Sequence, residues 1–478
     1  MSNRLLVMKF GGTSVGSPER IEKAADLIAA GARERHVVAV VSAMAKVTDL
    51  LLDTLRKAEQ GDQQGLETNI LTLRNRHLDA CEKLLPGGKR GFVTQRIHEL
   101  VEEFERIAKG MLLLRERPLR SVDQALSIGE RLSALLISAV LESRGVAAEP
   151  VSAAECVVTD DDFGCASPLM HETAEKTRER LLPLLEACRI PIVTGFNGAT
   201  RDGQPTTLGR GGSDFSGSIL AAALEANELW IWTDVDGILT ADPRLVTDAR
   251  VLPEVTYNEA AELAYNGAKV LHPRTLAPLV EKQIPVWIKN SFSPEKPGTR
   301  IVARISDGHG VRAITSLSQV ALISIEAASP SMSGAQLMAR ALEAAARANV
   351  EVLLLTRSSF RQNFCMLVRL DELHEVLESL RDELALELAH GYVHPIGVDE
   401  SVGLLAAVGE GMRGTPGLAG LVFNALSSKK INIIAIAQGS SELTIAIVVK
   451  KDALDAAVQV LHADCKLGVA QPTPAKVS

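Results

Sequence analysis

Lys9-Phe10-Gly11-Gly12-Thr13-Ser14 is the stretch on which the reading of this chain turns. Before it, Leu5-Leu6-Val7-Met8 is apolar enough for a buried strand; after it, Glu19–Ala30 carries a helical pattern. Ser17 stands where an N-cap belongs, and Pro18 suits the first helical turn. A strand that ends in two glycines and opens onto a helix leaves backbone N–H groups free to hold an anion. Gly11 and Gly16 have the Walker spacing, but Ser17-Pro18 follows where Lys-Ser/Thr belongs, and the lysine precedes the glycines. The stretch is a phosphate site of another design or a tight strand-to-helix turn. Taken singly, it leaves both open.

The chain around it has 478 residues, which suggests two to four domains of about 100–200 residues each. Hydrophobic residues make up 46% and aromatics only 3%, so the cores must be aliphatic. A net charge of −8, with no basic run interleaved with aromatics, argues against a nucleic-acid partner. No signal-peptide pattern is evident, and no apolar run is expected to reach the ~18 residues of a membrane span. The 6 cysteines lack CxxC spacing, so free thiols in a reducing cytoplasm are expected.

Strand-like and helix-like stretches alternate along the first 305 residues or so. His36–Val41 reads as a buried strand closing on Ser42. Thr48 to about Arg115 is helical, broken at Gly61 and at Pro86-Gly87-Gly88. Ser121–Ser143 is a helix with Leu132, Leu135, Leu136 and Val140 on its apolar face, and Glu130 lies near that face. Then come the Thr173–Cys188 helix, the Ile190–Thr194 strand, a turn at Gly195–Gly198, and the glycine-rich Thr206–Asp214 opening an alanine-rich helix to Ala226. Leu229–Thr233 is a strand, and Asp234–Arg244 a long polar turn. Such alternation predicts a largely parallel sheet between helices.

Beyond it lies a repeat. Val350–Leu355 and Ile431–Ile436 read as equivalent strands 81 residues apart. Each follows a helix (Leu337–Ala348, Leu418–Ser428) and precedes a second strand (Phe364–Leu370, Leu443–Val449). With Val320–Ile325 and Ser401–Val408 as opening strands, these are two small α+β modules of one kind.

Candidate chemistry is concentrated in a few places. Arg210-Gly211-Gly212-Ser213-Asp214 would offer an anion helix amides, a favourable dipole and a guanidinium together, though a solvated Arg and a capping Asp on a plain turn fit as well. Asp234–Arg244 lacks the third carboxylate and terminal Glu of a calcium loop. In Gly267–Pro273, His272 reads as structural rather than catalytic. HExxH is missing from the sequence.

In order, Lys9–Ser14, the Ser42…Thr48 pair, Gly129-Glu130, Thr207–Asp214, Thr233-Asp234…Asp242-Pro243-Arg244 and Gly267–Pro273 resemble the aspartate kinases over essentially the whole chain. The resemblance implies the α/β amino-acid kinase fold over residues 1–305, followed by two α+β ACT domains at 306–395 and 396–478. It implies transfer of the ATP γ-phosphoryl group to the β-carboxylate of L-aspartate, the first step of lysine, threonine and methionine biosynthesis. The nucleophile is already ionised, so alignment and charge neutralisation suffice.

By the same resemblance, Lys9 binds the transferring phosphoryl group, Phe10, Gly11 and Gly12 line the phosphates, and Asp214 positions the lysines. Arg210 would take an aspartate carboxylate and Glu130 its ammonium; Ser42, Thr48, Gly211, Gly212 and Ser213 would complete that pocket. Thr233, Asp234, Leu239, Arg244, Lys269 and Val270 would form the nucleotide side, and Mg²⁺ would arrive on ATP with no metal ligand from the chain. Met332, Ser333, Val352, Gln438, Ser440 and Ser441 would form effector sites in a homodimer or larger assembly.

Some positions depart from the family. Leu239 replaces a tyrosine common beside the nucleotide. In the first ACT module, Leu353 stands where lysine-sensitive members have an aspartate. Arg357 replaces a glutamine, and Ser358-Ser359-Phe360-Arg361 departs from Ser-Ser-Ser-Glu. The second module keeps Gln438–Glu442, similar to threonine-sensitive members fused to homoserine dehydrogenase, so threonine is the favoured effector. With the last residue at Ser478, no dehydrogenase is expected to follow. The rival readings are another kinase of this fold, acting on glutamate, acetylglutamate, carbamate or UMP, and an amino-acid sensor on a dead kinase. The paired ACT modules weigh against the first, and intact Lys9, Glu130, Arg210 and Asp214 against the second.

Overall fold

The structure, a computed structural model, describes residues 5–268, 271–305, 310–328, 333–358 and 363–468. The chain divides into two units. One comprises Met1–Ile238, Pro253–Tyr257 and Val270–Arg304; the other comprises Leu239–Leu252, Asn258–Lys269 and Ile305–Ser478.

The first unit is built on an eight-stranded sheet of order β3-β5-β2-β1-β8-β10-β11-β9. Its strands are β1 (Leu5–Phe10), β2 (His36–Val41), β3 (Ala148–Val151), β5 (Ile190–Thr194), β8 (Glu228–Thr233), β9 (Glu254–Thr256), β10 (Val286–Asn290) and β11 (Thr299–Val302). All neighbouring pairs are parallel except β10 with β11. A three-stranded sheet of β4 (Val158–Thr159), β6 (Asn197–Thr200) and β7 (Pro205–Thr207) lies apart. Asn197 and Gly198, expected in a turn, thus open a strand, because Gly198 pairs with Thr206 across a short hairpin.

Because β1 is covered on both faces, its pattern is a near-continuous apolar run, and alternation decides what each residue meets. Leu6, Met8 and Phe10 enter a core shared with α1 (Pro18–Ala32), α2 (Val47–Gln60), α3 (Gln63–Leu84), α4 (Gly87–Leu114) and α5 (Leu119–Ser143). Lys9 points the other way, toward α7 (Gly212–Ala223), which lies on the opposite face beside α6 (Met170–Glu186) and α9 (Ala277–Lys282). Ser17 caps α1 by accepting from the Arg20 N–H at 3.4 Å. Contrary to the expectation that no apolar run approaches a membrane span, α5 has the necessary length, with a mean hydropathy of 1.3. Its apolar window is 78% buried, so it is a core helix.

The second unit holds two four-stranded antiparallel sheets, β14-β15-β13-β16 and β18-β19-β17-β12. The first comprises β13 (Val320–Ile325), β14 (Leu354–Arg357), β15 (Phe364–Arg369) and β16 (Gly397–Asp399), with α10 (Gly334–Arg347), α11 (Leu373–Glu383) and α12 (Ala385–Ala389). The second comprises β12 (Ala313–Leu317), β17 (Val402–Val408), β18 (Ala435–Gln438) and β19 (Thr444–Lys450), with α13 (Leu418–Ser428) and α14 (Leu454–Asp464). The helix α8 (Tyr257–Tyr265) precedes them in the chain. Alternation splits each strand between two cores: Leu405 and Ala407 face α13 and α14, while Val402 and Leu404 join Val320, Leu322 and Leu367 between the two sheets.

Three details differ from the sequence reading. The strands expected from Val350 and Ile431 each begin four residues later, at Leu354 and Ala435. Val350 and Ile431 pack into their cores, but ladder bonds start only at Leu353 N–H to Leu367 O and Ile434 N–H to Val448 O, both 2.8 Å. Second, β12 lies in the stretch read as the first module yet pairs with β17, so the first module is inserted between two strands of the second. Third, Leu239–Leu252 and Asn258–Lys269 group with the second unit although both precede residue 305. Ala241 and Val246 bury themselves in the core of α13 and α14.

Candidate active site

β1 has its sequence neighbour β2 on one side and β8 on the other, so the chain reverses its direction of growth there. In an open parallel sheet, ligands bind outside the carboxyl ends of the strands at such a point. The segments that leave those ends are Gly11-Gly12 from β1, Ser42 from β2, Gly195 from β5, Thr233-Asp234 from β8 and Ser291 from β10. They are tied edge to edge: Gly11 N–H donates to Trp232 O (3.1 Å), Ser42 N–H to Phe10 O (3.1 Å), Gly195 N–H to Val41 O (2.8 Å) and Ser291 N–H to Thr233 O (2.8 Å).

Lys9 is 5% exposed in a strand buried on both faces, so its ammonium needs a counter-charge. Asp214, in the first turn of α7, supplies it as a direct ion pair, although no donor meets Oδ1 in hydrogen-bonding geometry. Gly217 permits that approach: a Cβ there would lie 3.2 Å from the Lys9 Cβ. Gly211 turns the chain into α7 at φ +73°, where a Cβ would come within 2.7 Å of His272. His272 itself accepts from the Arg274 N–H at 3.3 Å. Gly12 and Thr13 start a short 3₁₀ turn, and no backbone acceptor meets their N–H groups among the described residues. Of the two expected amide donors, Gly11 is engaged with Trp232 and Gly12 remains. Phe10 stacks its ring on Trp232, at 6.2 Å between centroids, so only its backbone reaches the edge.

Glu130 is 3% exposed on α5, and its Oε2 has no hydrogen-bond partner among the described residues. Burial pushes its carboxyl up to about 8, opposed by the Ala43 backbone N–H. Gly129 lets α5 come this close: a Cβ there would sit 2.9 Å from that of Ala43. Ser42 Oγ and both amide atoms of Asn197 are likewise buried without partners among the described residues. Buried polar groups left unpaired are costly, so those near the carboxyl ends are places a ligand could complete. Thr48 is half-buried at the start of α2, Ser213 is half-buried and Arg210 is exposed.

Asp123 went unnoticed in the sequence. Two turns before Glu130 on α5, it accepts from Gly164 N–H (2.8 Å), Thr207 N–H (2.9 Å) and the Thr207 hydroxyl (2.7 Å). It therefore pins the start of the loop that carries Arg210 through Asp214. A carboxylate in so apolar a helix was the available signal.

The expected nucleotide residues divide between the units. Thr233 and Asp234 belong to the first, where the Thr233 hydroxyl donates to Asp234 at 3.3 Å. Leu239 and Arg244 belong to the second; Arg244 is exposed and paired with Asp242 at 2.5 Å. Lys269 and Val270 lie outside the described residues, as do Met332 and Ser359–Arg361. Ser333 caps α10, Val352 is half-buried against the first module's core, and Gln438, Ser440 and Ser441 are exposed at the end of β18. Among the described residues no cluster of three or more His, Cys, Asp or Glu could hold a metal ion.

A model of the amino acid kinase family matches residues 4–290, and a model of the ACT domain matches residues 405–464. The chain belongs to the amino acid kinase family. Within it the chain sides with the aspartokinases: it is 32% identical to chloroplastic aspartokinase 3 of Arabidopsis thaliana, over 95% of this chain and 80% of that protein. The structure of E. coli aspartokinase III in complex with aspartate and ADP superposes with a TM-score of 0.83 at 31% identity, covering 96% of this chain and 99% of that one. The same enzyme with lysine and aspartate, in its T-state, superposes at 0.79. The chloroplastic bifunctional aspartokinase/homoserine dehydrogenase 1 of Arabidopsis thaliana is 35% identical over 95% of this chain and 50% of its own length. The chain spans about half the length of the curated bifunctional relatives it matches.

Proposed function

We propose that this chain is an aspartate kinase, transferring the γ-phosphoryl group of MgATP to the β-carboxylate of L-aspartate to give 4-phospho-L-aspartate and ADP. The observation that carries the reading is the buried Lys9–Asp214 ion pair at the switch point, with the buried carboxyl of Glu130, whose Oε2 has no hydrogen-bond partner among the described residues, on the same edge of the sheet. The aspartate and ADP bound by E. coli aspartokinase III support it.

A carboxylate oxygen of aspartate attacks the γ-phosphorus as the bond to the ADP oxygen breaks. No proton need move, so no general base is required. Lys9 neutralises charge on the transferring group, Asp214 holds Lys9 in place, and the Gly12 amide faces the phosphates. Glu130 takes the substrate ammonium and Arg210 a carboxylate, with Ser42, Thr48 and Ser213 around them. Thr233, Asp234, Leu239, Arg244, Lys269 and Val270 form the nucleotide side, and Mg²⁺ enters as part of the substrate.

The segment before about residue 305 is the catalytic part, and the two ACT modules after it pair with those of a second copy to form effector pockets. Threonine is the favoured effector: Leu353 leaves the first module without the carboxylate a lysine side chain would need, whereas Gln438, Ser440 and Ser441 offer amide and hydroxyl partners. The test is ADP release with aspartate, glutamate, acetylglutamate, carbamate and UMP as acceptors, then with aspartate plus lysine, threonine or methionine. ADP release that does not depend on aspartate overturns the reading.

A further inference from the structure

Leu239–Leu252 follows Ile238 directly in the chain, yet it is part of the second unit. Hydrogen bonds close it on itself and hold it there. Thr240 N–H donates to Arg250 O (2.9 Å) and Ile314 N–H to Thr240 O (2.8 Å). The Gln459 amide of α14 donates to Leu245 O (3.0 Å), and the Arg250 guanidinium to Leu467 O (2.7 Å). Ala241 and Val246 share a core with Val458 and Leu461 of α14.

At the centre of this attachment, Thr240 and His462 meet although 222 residues apart in sequence. Their Oγ1 and Nε2 are 3.0 Å apart, and the two residues are 0% and 1% exposed. The Asp248 carboxylate lies 3.6 Å from Nδ1 and favours the proton on that nitrogen, which leaves Nε2 to accept from the Thr240 hydroxyl. The hydroxyl oxygen in turn accepts the Arg250 N–H at 3.1 Å. A hydroxyl, an imidazole and a carboxylate in line have the composition of a nucleophile triad, but Thr240 has no exposed surface for a substrate to reach. What the arrangement can do is fix the segment that carries Leu239 and Arg244 to one helix of the second module.

We propose that His462 is a positioning residue for the nucleotide side of the kinase reaction: through Thr240 it sets the segment bearing Arg244, so that the second module acts on MgATP binding rather than on aspartate binding. The proposal rests on the reading of Leu239 and Arg244 as nucleotide residues. His462 touches no substrate; it acts through Thr240.

The test is steady-state kinetics on the full chain, varying MgATP and aspartate separately. His462→Leu is expected to raise KM for MgATP about fivefold, roughly the effect of one buried hydrogen bond, and to leave kcat and KM for aspartate within about twofold. His462→Gln, whose amide reaches the Nε2 position, should restore most of the loss. Thr240→Val, nearly isosteric, should reproduce the defect even if the leucine variant folds poorly, and the double variant should be no worse than either. Arg244→Ala is the control for the underlying reading. If it leaves KM for MgATP unchanged, the nucleotide assignment fails and the proposal with it. If Arg244→Ala raises that KM while folded His462→Leu and Thr240→Val do not, the proposal alone is overturned. It is equally overturned if kcat and both KM values worsen together with a lowered melting temperature and no rescue by glutamine.

Discussion

Around Lys9 and Glu130 the fold buries polar atoms and leaves several without partners, whereas around Thr240 it buries polar atoms and closes them on one another. Ser42 Oγ, Glu130 Oε2 and the Asn197 amide have no hydrogen-bond partners among the described residues. The Thr240 hydroxyl meets His462 on one side and the Arg250 N–H on the other. An unpaired buried group lowers stability by about 1–3 kcal/mol, and a ligand that completes it regains that energy as affinity. A closed network offers a ligand nothing of the kind but transmits displacement, because its members must move together. On the function proposed, the first region would bind and the second position, and substitutions should sort accordingly.

The largest effect belongs to Lys9→Met. In the proposed reaction the ammonium would oppose charge that is greatest at the transition state, so kcat should fall by two to three orders of magnitude, roughly the loss of one electrostatic contact in a closed site. The fold should survive, because methionine suits a strand buried on both faces. A folded variant with near-normal turnover would remove Lys9 from the binding region and break the contrast at its strongest point.

Glu130→Ala comes next. Loss of the partner for a substrate ammonium should raise KM for aspartate by roughly 30-fold or more, about 2 kcal/mol, with KM for MgATP little changed. The unmodified protein should also show a slope with pH. With its carboxyl near 8 in the absence of ligand, Glu130 must lose a proton before it can pair with an ammonium. KM for aspartate should therefore fall as pH rises from 6 toward 8, by up to about tenfold per unit, and level off above it. Stability carries the opposite sign. The folded state keeps a proton between about 4.5 and 8 that the unfolded state has lost, so the ligand-free melting temperature should fall with pH across that window. Glu130→Gln should flatten both profiles; a slope that persists in it assigns the titration to another group.

How much of this could be read from the sequence depended on the distance to the partner. β1, the cap at Ser17 and α1 follow from local pattern, and the sequence reading of them agrees with the structure. The late starts of β14 and β18 could not be read so, because Val350 and Ile431 have the composition of strand residues and differ only in lacking a ladder partner. The pairing of β12 with β17 was hidden for a related reason: alternation identifies a strand but not its neighbour. Lys9, Glu130 and Asp214 stood out as charged residues in apolar or glycine-rich settings. Asp123 and His462 did not, since the groups that give them meaning lie 84 and 222 residues away.

Asp123 sharpens the contrast because it is closed like the Thr240 network but, on the function proposed, would serve the substrate side. Asp123→Ala leaves the Gly164 and Thr207 N–H groups unpaired and frees the start of the Arg210–Asp214 loop. KM for aspartate should rise about tenfold, with KM for MgATP within twofold. Asp123→Asn should cost about threefold at most: its carbonyl can still accept both N–H groups, and the Thr207 hydroxyl can turn to accept from the new amide. If the alanine variant instead raises KM for MgATP, the loop serves the nucleotide and the two sides of the cleft have been exchanged.

The smallest effect concerns Gln438, exposed at the end of β18 and in register with Ile445. Its amide makes no side-chain hydrogen bond among the described residues, unlike the Thr240 hydroxyl. If a second copy covers it, as proposed, the effector adds one neutral hydrogen bond there, worth about 1 kcal/mol. Gln438→Ala should then shift the threonine inhibition curve to roughly fivefold higher concentration without altering its maximum. Through the His462–Thr240 link, the residual inhibition should be competitive with MgATP rather than with aspartate. Inhibition by lysine alone, unmoved by Gln438→Ala, would place the effector in the first module, around Ser333 and Val352, despite the loss of the carboxylate at Leu353. Competition with aspartate would leave the effector site standing but sever its connection to the segment that carries Arg244.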